Sequence, residues 1–313
     1  MNKNWMNDEI QKLKREKNAV ILAHNYELPE IQDAADFVGD SLGLSQMAGK
    51  TNADIIVFCG VHFMAETASI ISPNKKILIP DLDAGCSLAS SITLEQLKKW
   101  KEENPGAVVI SYVNTTAEIK AESDYCCTSS NAVKIVNSIP KEKKILFLPD
   151  KFLGMYAKAV SGRDMEIWDG ACHVHKKIGD ISLNEARKDY PKADVLVHPE
   201  CGCSTSCLLN STVYEKCDDV LIYSTEGMIN HVKESPKDEF LIATETGILH
   251  RLKKENPKKS FYPVSEESVC EYMKMITLEK LYNSLVNEEF EVKVPEEIAS
   301  KARLPIERMM NIY

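Results

Sequence analysis

The run AVILAHNY (residues 19–26) is apolar until it ends abruptly in His24, Asn25 and Tyr26. This is the pattern of a strand buried on both faces, with its last residues switching to side chains that can do chemistry. It returns as AVVISYVN (107–114) and ADVLVHPE (193–200), with starts 88 and 86 residues apart. Each lead is followed by two more short apolar runs: DIIVFCG (54–60) and KKILIPD (75–81), DYCCTSS (124–130) and KKILFLPD (143–150), DDVLIYST (218–225) and EFLIATET (239–246). The pattern predicts nine strands in three sets of three. Segments of helical period such as FMAETASII, LEQLKKWKEE, NAVKIVNSI, GMINHVKES and GILHRLKKEN lie between them. Alternating strands and helices imply parallel sheets with crossover helices, and an internal repeat of roughly 87 residues is the working arrangement.

Further elements follow from the same pattern. Residues 29–37 read as a helix, and Gly39-Asp40-Ser41 supplies a turn and cap for a second helix, with capping as the alternative role for Ser41. The helix KFLGMYAKAV leads from Asp150 to a stretch holding Cys172, His173 and His175. Residues 265–287 read as one long helix containing Cys270, and VPEEIASKARLPIERMM as a closing helix with Pro295 near its start.

Composition narrows the class. The chain has 313 residues, 44% hydrophobic and 27% charged, the balance of a soluble globular protein. No run approaches the roughly 18 apolar residues of a membrane span. The polar, helical start lacks the apolar core of a signal peptide, so the expected location is cytoplasmic. A net charge of −9 argues against a non-specific nucleic-acid binder. Ten cysteines without an export signal read as buried thiols, metal ligands or catalytic groups rather than a disulfide framework. Cys59, Cys126 and Cys127 lie inside strand runs and are expected in the core.

Cys86 follows KKILIPD, Cys172 follows KKILFLPD and Cys270 follows EFLIATET, 86 and 98 residues apart. If three units face inward about a pseudo-threefold axis, these cysteines can meet at one point. Three thiolates suit an iron–sulfur cluster better than a structural zinc site, which closes with four protein ligands. Strand ends place proton carriers around the same point, His24, Tyr26, Tyr112, His198 and Glu200, with the neutral donors Ser41, Asn114, Ser129 and Thr225. For Ser129 the alternative role is again capping. The loop CGCSTSC brings Cys201, Cys203 and Cys207 within seven residues, where a soft metal or disulfide interchange would also be at home.

The series AHNYELPEIQDAADFVGDSLGLS, VFCGVHFMAET, PDLDAGCSLA, SYVNTTAEIKAESDYCCTSSNA, WDGACHVH, VHPEC, ATETGILHRL and CEYMKMITLEKLY resembles the quinolinate synthase family, in order and over nearly the whole chain. The resemblance implies an α/β fold of three similar three-layer αβα domains. Each would hold a small parallel sheet, arranged with pseudo-threefold symmetry around a central active site. Boundaries are expected at 1–84 with 266–313, at 85–171 and at 172–265. It implies condensation of iminoaspartate with dihydroxyacetone phosphate to quinolinate in de novo NAD biosynthesis, with release of phosphate and two waters. It further implies a [4Fe-4S] cluster on Cys86, Cys172 and Cys270 with one open iron. Tyr26, Tyr112, His198 and Glu200 carry over as catalytic residues. His24, Ser41, Asn114, Ser129 and Thr225, together with Tyr112, His198 and Glu200, carry over as substrate-binding residues. The expected partners are small molecules, with functional coupling to an aspartate oxidase or dehydrogenase and with neither nucleic acid nor membrane. Another cluster-dependent hydro-lyase, or a non-enzymatic metal or redox sensor built on the CGCSTSC loop, are the alternatives.

Overall fold

Each of the three apolar leads becomes an inner strand of a four-stranded sheet, because a run with few polar side chains is stable only with both faces covered. A computed structural model describes residues 3–205 and 220–312. The first sheet holds β1 (Ala19–His24), β2 (Phe37–Gly39), β3 (Ile55–Cys59) and β4 (Lys76–Leu78) in the order β2-β1-β3-β4. The second holds β5 (Val108–Tyr112), β6 (Tyr125–Cys127), β7 (Ile145–Leu148) and β8 (Glu166–Ile167) in the order β6-β5-β7-β8. The third holds β9 (Asp194–Val197), β10 (Val220–Ile222), β11 (Glu239–Ala243) and β12 (Ser260–Pro263) in the order β10-β9-β11-β12. Every pairing is parallel. The same order recurs three times, so the fold is three similar αβα domains with helices on both faces of each sheet.

The twelve strands among the described residues correct the expected nine. One strand per unit was missed, and not the same one: the first unit lacked β2, the second β8 and the third β12. These are edge strands of two to four residues. The look-alike runs KKILIPD and KKILFLPD are therefore not equivalent. The first forms the outer strand β4, whereas the second forms the inner strand β7, whose counterparts are β3 and β11. Likewise the helix expected over 29–37 stops at Pro29–Ala34, and Phe37 enters β2. The long helix expected over 265–287 is a loop carrying Cys270, a short 3-10 turn, and a helix Leu278–Asn287 begun by the Thr277 hydroxyl, which accepts Lys280 N–H. The apolar period runs through both parts, but the capping threonine separates them.

Other expectations hold. Helices cover His62–Ile71, Leu94–Glu103, Ala132–Ser138, Lys151–Ser161, Thr225–Glu234 and Ile248–Glu255, and Cys59, Cys126 and Cys127 are fully buried. The closing helix Glu296–Asn311 leans on the second unit: Asn131 Nδ2 donates to the carbonyls of Met309 and Ile312, both at 2.8 Å, and Arg308 lies 4.6 Å over the Tyr125 ring. Among the described residues no helix is long and apolar enough to cross a membrane.

Candidate active site

Strand register sets which side chains correspond. Ala23 pairs with Cys59, Ser111 with Leu148 and Val197 with Ala243, each at the junction of two inner strands. One residue further on stand His24, Tyr112 and His198, and three further on Tyr26, Asn114 and Glu200. Asn25, two residues on, corresponds to Val113 and Pro199. Along the neighbouring strands Val38, Cys126 and Ile222 are equivalent, so Ser41, Ser129 and Thr225 also share one position. All nine side chains, together with Cys86, Cys172 and Cys270, line a single cavity. This is the carboxyl end of three parallel sheets, where open α/β folds bind ligands.

The capping alternatives can now be resolved. Asp40, not Ser41, caps its helix by accepting Gly43 N–H at 2.8 Å, and Ser224, not Thr225, accepts Gly227 N–H at 3.2 Å. Ser129 instead meets His198, with Oγ and Nε2 3.2 Å apart.

The three cysteines sit on one recurring turn. Each is followed, three residues on, by a 3-10 helix: Ala89–Ser91, His175–Lys177 and Met273–Met275. Each cysteine carbonyl accepts the N–H four residues ahead, from Ser90, Lys176 and Lys274. Each thiol faces backbone N–H groups two and three residues on, and a buried isoleucine, Ile92, Ile178 or Ile276, closes the turn. A motif C-x5-I was thus available in the sequence and would have found the set more directly than spacing. Burial pushes the thiols up, Cys86 to about 12 and Cys270 to about 11, and the negative charges of Cys86 and Cys270 oppose each other. Burial, with the charge of Glu200, raises Cys172 as well. Three such groups become thiolates together only around a cation.

Two buried carboxyls hold the cysteine loops. Asp150 and Glu245 occupy equivalent positions past β7 and β11. Asp150 accepts Leu153 N–H at 2.7 Å and faces the Cys172 N–H, while Glu245 accepts Cys270 N–H at 3.1 Å and Gly247 N–H at 2.6 Å. Lys274 binds Glu245 at 2.9 Å and also donates to the Tyr26 carbonyl. Gly247 makes this convergence feasible: a Cβ there would lie 2.7 Å from Tyr26 O and 2.8 Å from Lys274 Nζ.

A second network faces the cavity. The Tyr112 phenol donates to Glu200 Oε1. Tyr26 OH lies 2.5 Å from Thr244 Oγ1 and 3.3 Å from His175 Nε2. His24 Nδ1 accepts Tyr26 N–H at 3.2 Å, and His198 Nδ1 accepts Glu200 N–H at 3.4 Å, which leaves Nε2 as the protonated nitrogen in both rings. Burial lowers His24 and His175 to about 3 and His198 well below its ordinary range, so all three rings are neutral at pH 7. Burial, then the charge of Asp150, raises Glu200, and the Tyr112 hydrogen bond partly offsets this. Both tyrosines are raised, first by burial and then by Glu200, and keep their protons. The Asn114 side-chain oxygen is buried without a hydrogen-bond partner, an acceptor left for a substrate donor.

His175, Thr244, Glu245, Asp150 and Lys274 were not assigned to the site from sequence. The acids stand two residues past an inner strand, where a turn residue is the ordinary reading. Cys201 and Cys203 do not line the cavity. They are fully buried in the third unit, with Cys201 Sγ donating to the Ala243 carbonyl at 3.1 Å, and Cys207 lies outside the described residues. Cys172, His175 and Glu200 bring their ligand atoms within 4.8 Å of one another and are compatible with a metal site.

Comparison with known proteins identifies a family. A family model described as "Quinolinate synthetase A protein" matches residues 8–311. Over 304 residues the chain is 56% identical to the quinolinate synthase of Pyrobaculum aerophilum, spanning 97% of this chain and 98% of that one. It is 53% identical over 304 residues to the quinolinate synthase of Thermus thermophilus, spanning 97% and 96%. With that of Mycobacterium leprae it shares 52% over 307 residues, spanning 97% and 87%.

Proposed function

The chain belongs to the quinolinate synthase family, and from that premise we propose that it condenses iminoaspartate with dihydroxyacetone phosphate to quinolinate in de novo NAD biosynthesis, releasing phosphate and two waters. The observation that carries this reading is the meeting of twelve expected residues, from all three units, around one cavity. In this reading the domains run over 1–84 with 266–313, over 85–171 and over 172–265, and the setting is cytoplasmic, where thiols stay reduced.

Cys86, Cys172 and Cys270 would hold a [4Fe-4S] cluster. What supports this is the recurring turn that offers each sulfur backbone N–H donors, and also the spacing. Three thiolates on one zinc lie at most about 4.6 Å apart, twice a bond of roughly 2.3 Å, and among the described residues the three sulfurs do not form such a group. When bound, the cluster supplies an iron without a protein ligand, a Lewis acid able to polarise a substrate oxygen and ease the loss of water.

The protein's own groups then divide the work. The Tyr26 phenol keeps its proton and is a donor to an oxygen that leaves or changes charge, while the Tyr112 phenol keeps its proton on Glu200. Glu200 accepts a proton at Oε2 while Tyr112 holds Oε1. Neutral His198 and the Ser129 hydroxyl form one donor unit, and His24 contributes a second neutral ring. Ser41, Ser129 and Thr225, at one equivalent position in three units, hold carboxylate or phosphate oxygens, while Asn114 orients the reacting chain. An imine hydrolyses readily in water, so functional coupling to an aspartate oxidase or dehydrogenase accompanies this reading.

The test is anaerobic purification with iron and sulfide counted per chain. About four irons are expected, lost when Cys86, Cys172 or Cys270 is changed singly to Ser and kept in Cys203→Ser. Iron retained in all three variants would sink the assignment. With the cluster established, quinolinate formation from the two substrates tests the reaction itself.

A further inference from the structure

Among the described residues, one set of metal-ligating side chains has its ligand atoms mutually within 4.8 Å, and it is not the set of three cysteines but Cys172, His175 and Glu200. We propose that, when the cluster is absent, this trio binds a single divalent cation of the zinc class through Cys172 Sγ, His175 Nδ1 and Glu200 Oε2, with a fourth position open to the cavity.

The donor set is one thiolate, one imidazole and one carboxylate, the mixture that borderline cations take in sites with an open position. Bonds of about 2.0–2.3 Å at tetrahedral angles separate ligand atoms by roughly 3.3–3.6 Å. His175 Nδ1 and Glu200 Oε2 are already 3.7 Å apart. His175 is 4% exposed, and its Nδ1 has no hydrogen-bond partner. A buried imidazole nitrogen left unpaired calls for an occupant. Its Nε2 lies 3.1 Å from the Thr244 hydroxyl, the kind of outer contact that fixes a ligating histidine and leaves the lone pair on the other nitrogen. Tyr112 steadies Glu200 in the same way by occupying Oε1. Cys172 and His175 share one turn, so the chain needs no rearrangement to present both.

Cys172 is the only residue common to this site and the proposed cluster. The two metals therefore exclude each other, and a zinc-class ion seated here blocks cluster assembly by holding one of its three sulfurs. Cys86 and Cys270 play no part in it. The proposal is independent of the cluster reading.

That independence sets the experiment. The full-length chain carrying both Cys86→Ser and Cys270→Ser, which cannot hold a three-cysteine cluster, is prepared metal-free under anaerobic reducing conditions. It is titrated with cobalt(II), whose thiolate charge-transfer absorption reports sulfur ligation, and then with zinc in competition. One cobalt per chain with that absorption, displaced by one zinc, is expected in this variant and in the parent alike. His175→Ala and Cys172→Ser should each weaken binding by more than the roughly 10–100-fold that loss of an outer contact costs, and Thr244→Val by an amount within that range. His175→Asn repeats the test with the polar bulk kept, and circular dichroism checks each fold. Binding lost in the double variant but unaffected by either His175 substitution would place the ion on the three cysteines and overturn the proposal. Binding lost only with Cys203→Ser would move it to the buried thiols of the third unit and overturn it equally.

Discussion

The backbone N–H of Cys270 donates to Glu245 Oε1 across 3.1 Å, so one carboxyl fastens a cavity thiol to the end of β11. The same carboxyl receives Lys274 at 2.9 Å, and that ammonium also reaches the Tyr26 carbonyl of the first unit. Glu245 thereby sets the position of a sulfur and a phenol that belong to different sheets. We expect Glu245→Ala to destabilise the metal-free chain by about 2 kcal/mol. That is below the ~3–5 kcal/mol of a fully buried pair, because Lys274 keeps one-fifth of its exposure. Glu245→Gln retains an acceptor for the Cys270 N–H and should lose less. Denaturant unfolding measures both, and equal losses would mean that charge alone carries the role.

Tyr112 and Glu200 come from different units and meet in one hydrogen bond. Phenylalanine at 112 keeps the ring in place but takes away the proton donor, so the loss is chemical rather than steric. Turnover should fall by about 100-fold, the scale of a positioned proton donor or acceptor, with iron content unchanged. Full turnover in Tyr112→Phe would remove this phenol from the proposed chemistry.

The parts of this site that were legible in the sequence have local causes. An apolar run that stops at His24, Tyr112 or His198 announces both the buried strand and its reactive end. The edge strands Phe37–Gly39, Glu166–Ile167 and Ser260–Pro263 did not announce themselves, because so few residues carry no period and are held by pairing with an inner strand. Similar wording also misled: KKILIPD and KKILFLPD share KKIL and a closing Pro-Asp yet occupy an outer and an inner strand. Cys86, Cys172 and Cys270 were found by spacing despite that misalignment, since each lies between a sheet and the next helix. Asp150, Glu245 and Lys274 escaped notice because their partners are fixed only once loops from separate units close on one another.

Thr225 owes its orientation to another unit as well. Asn25 Nδ2 donates to its hydroxyl at 3.1 Å, and Arg251 donates to Asn25 Oδ1 at 3.0 Å while paired with Glu226 at 2.8 Å. If Thr225 holds a substrate oxygen, losing this support should cost about one hydrogen bond, roughly 1.4 kcal/mol or tenfold in binding. Asn25→Ala is expected to raise KM for one substrate by about that factor with kcat little changed. Steady-state kinetics with each substrate varied in turn is the check, and unchanged KM values for both would detach Thr225 from binding.

Asp40 ties the cavity to pH. Burial pushes its carboxyl from 3.8 up to about 6, opposed by the Gly43 N–H it accepts. Between those values the folded protein holds a proton that the unfolded chain has released, so the unfolded state binds fewer protons and stability falls as pH rises. The stability linked to this group is fully present below about pH 4 and is lost as pH climbs through about 6. A shift of roughly two units corresponds to about 3 kcal/mol at most. Asp40→Asn keeps an acceptor for Gly43 and cannot ionise. The variant should match the parent near pH 4 and exceed it by up to that amount near pH 7, measured as unfolding free energies across the range. A constant difference between the two at every pH would show that the Asp40 carboxyl titrates alike in the folded and unfolded chain.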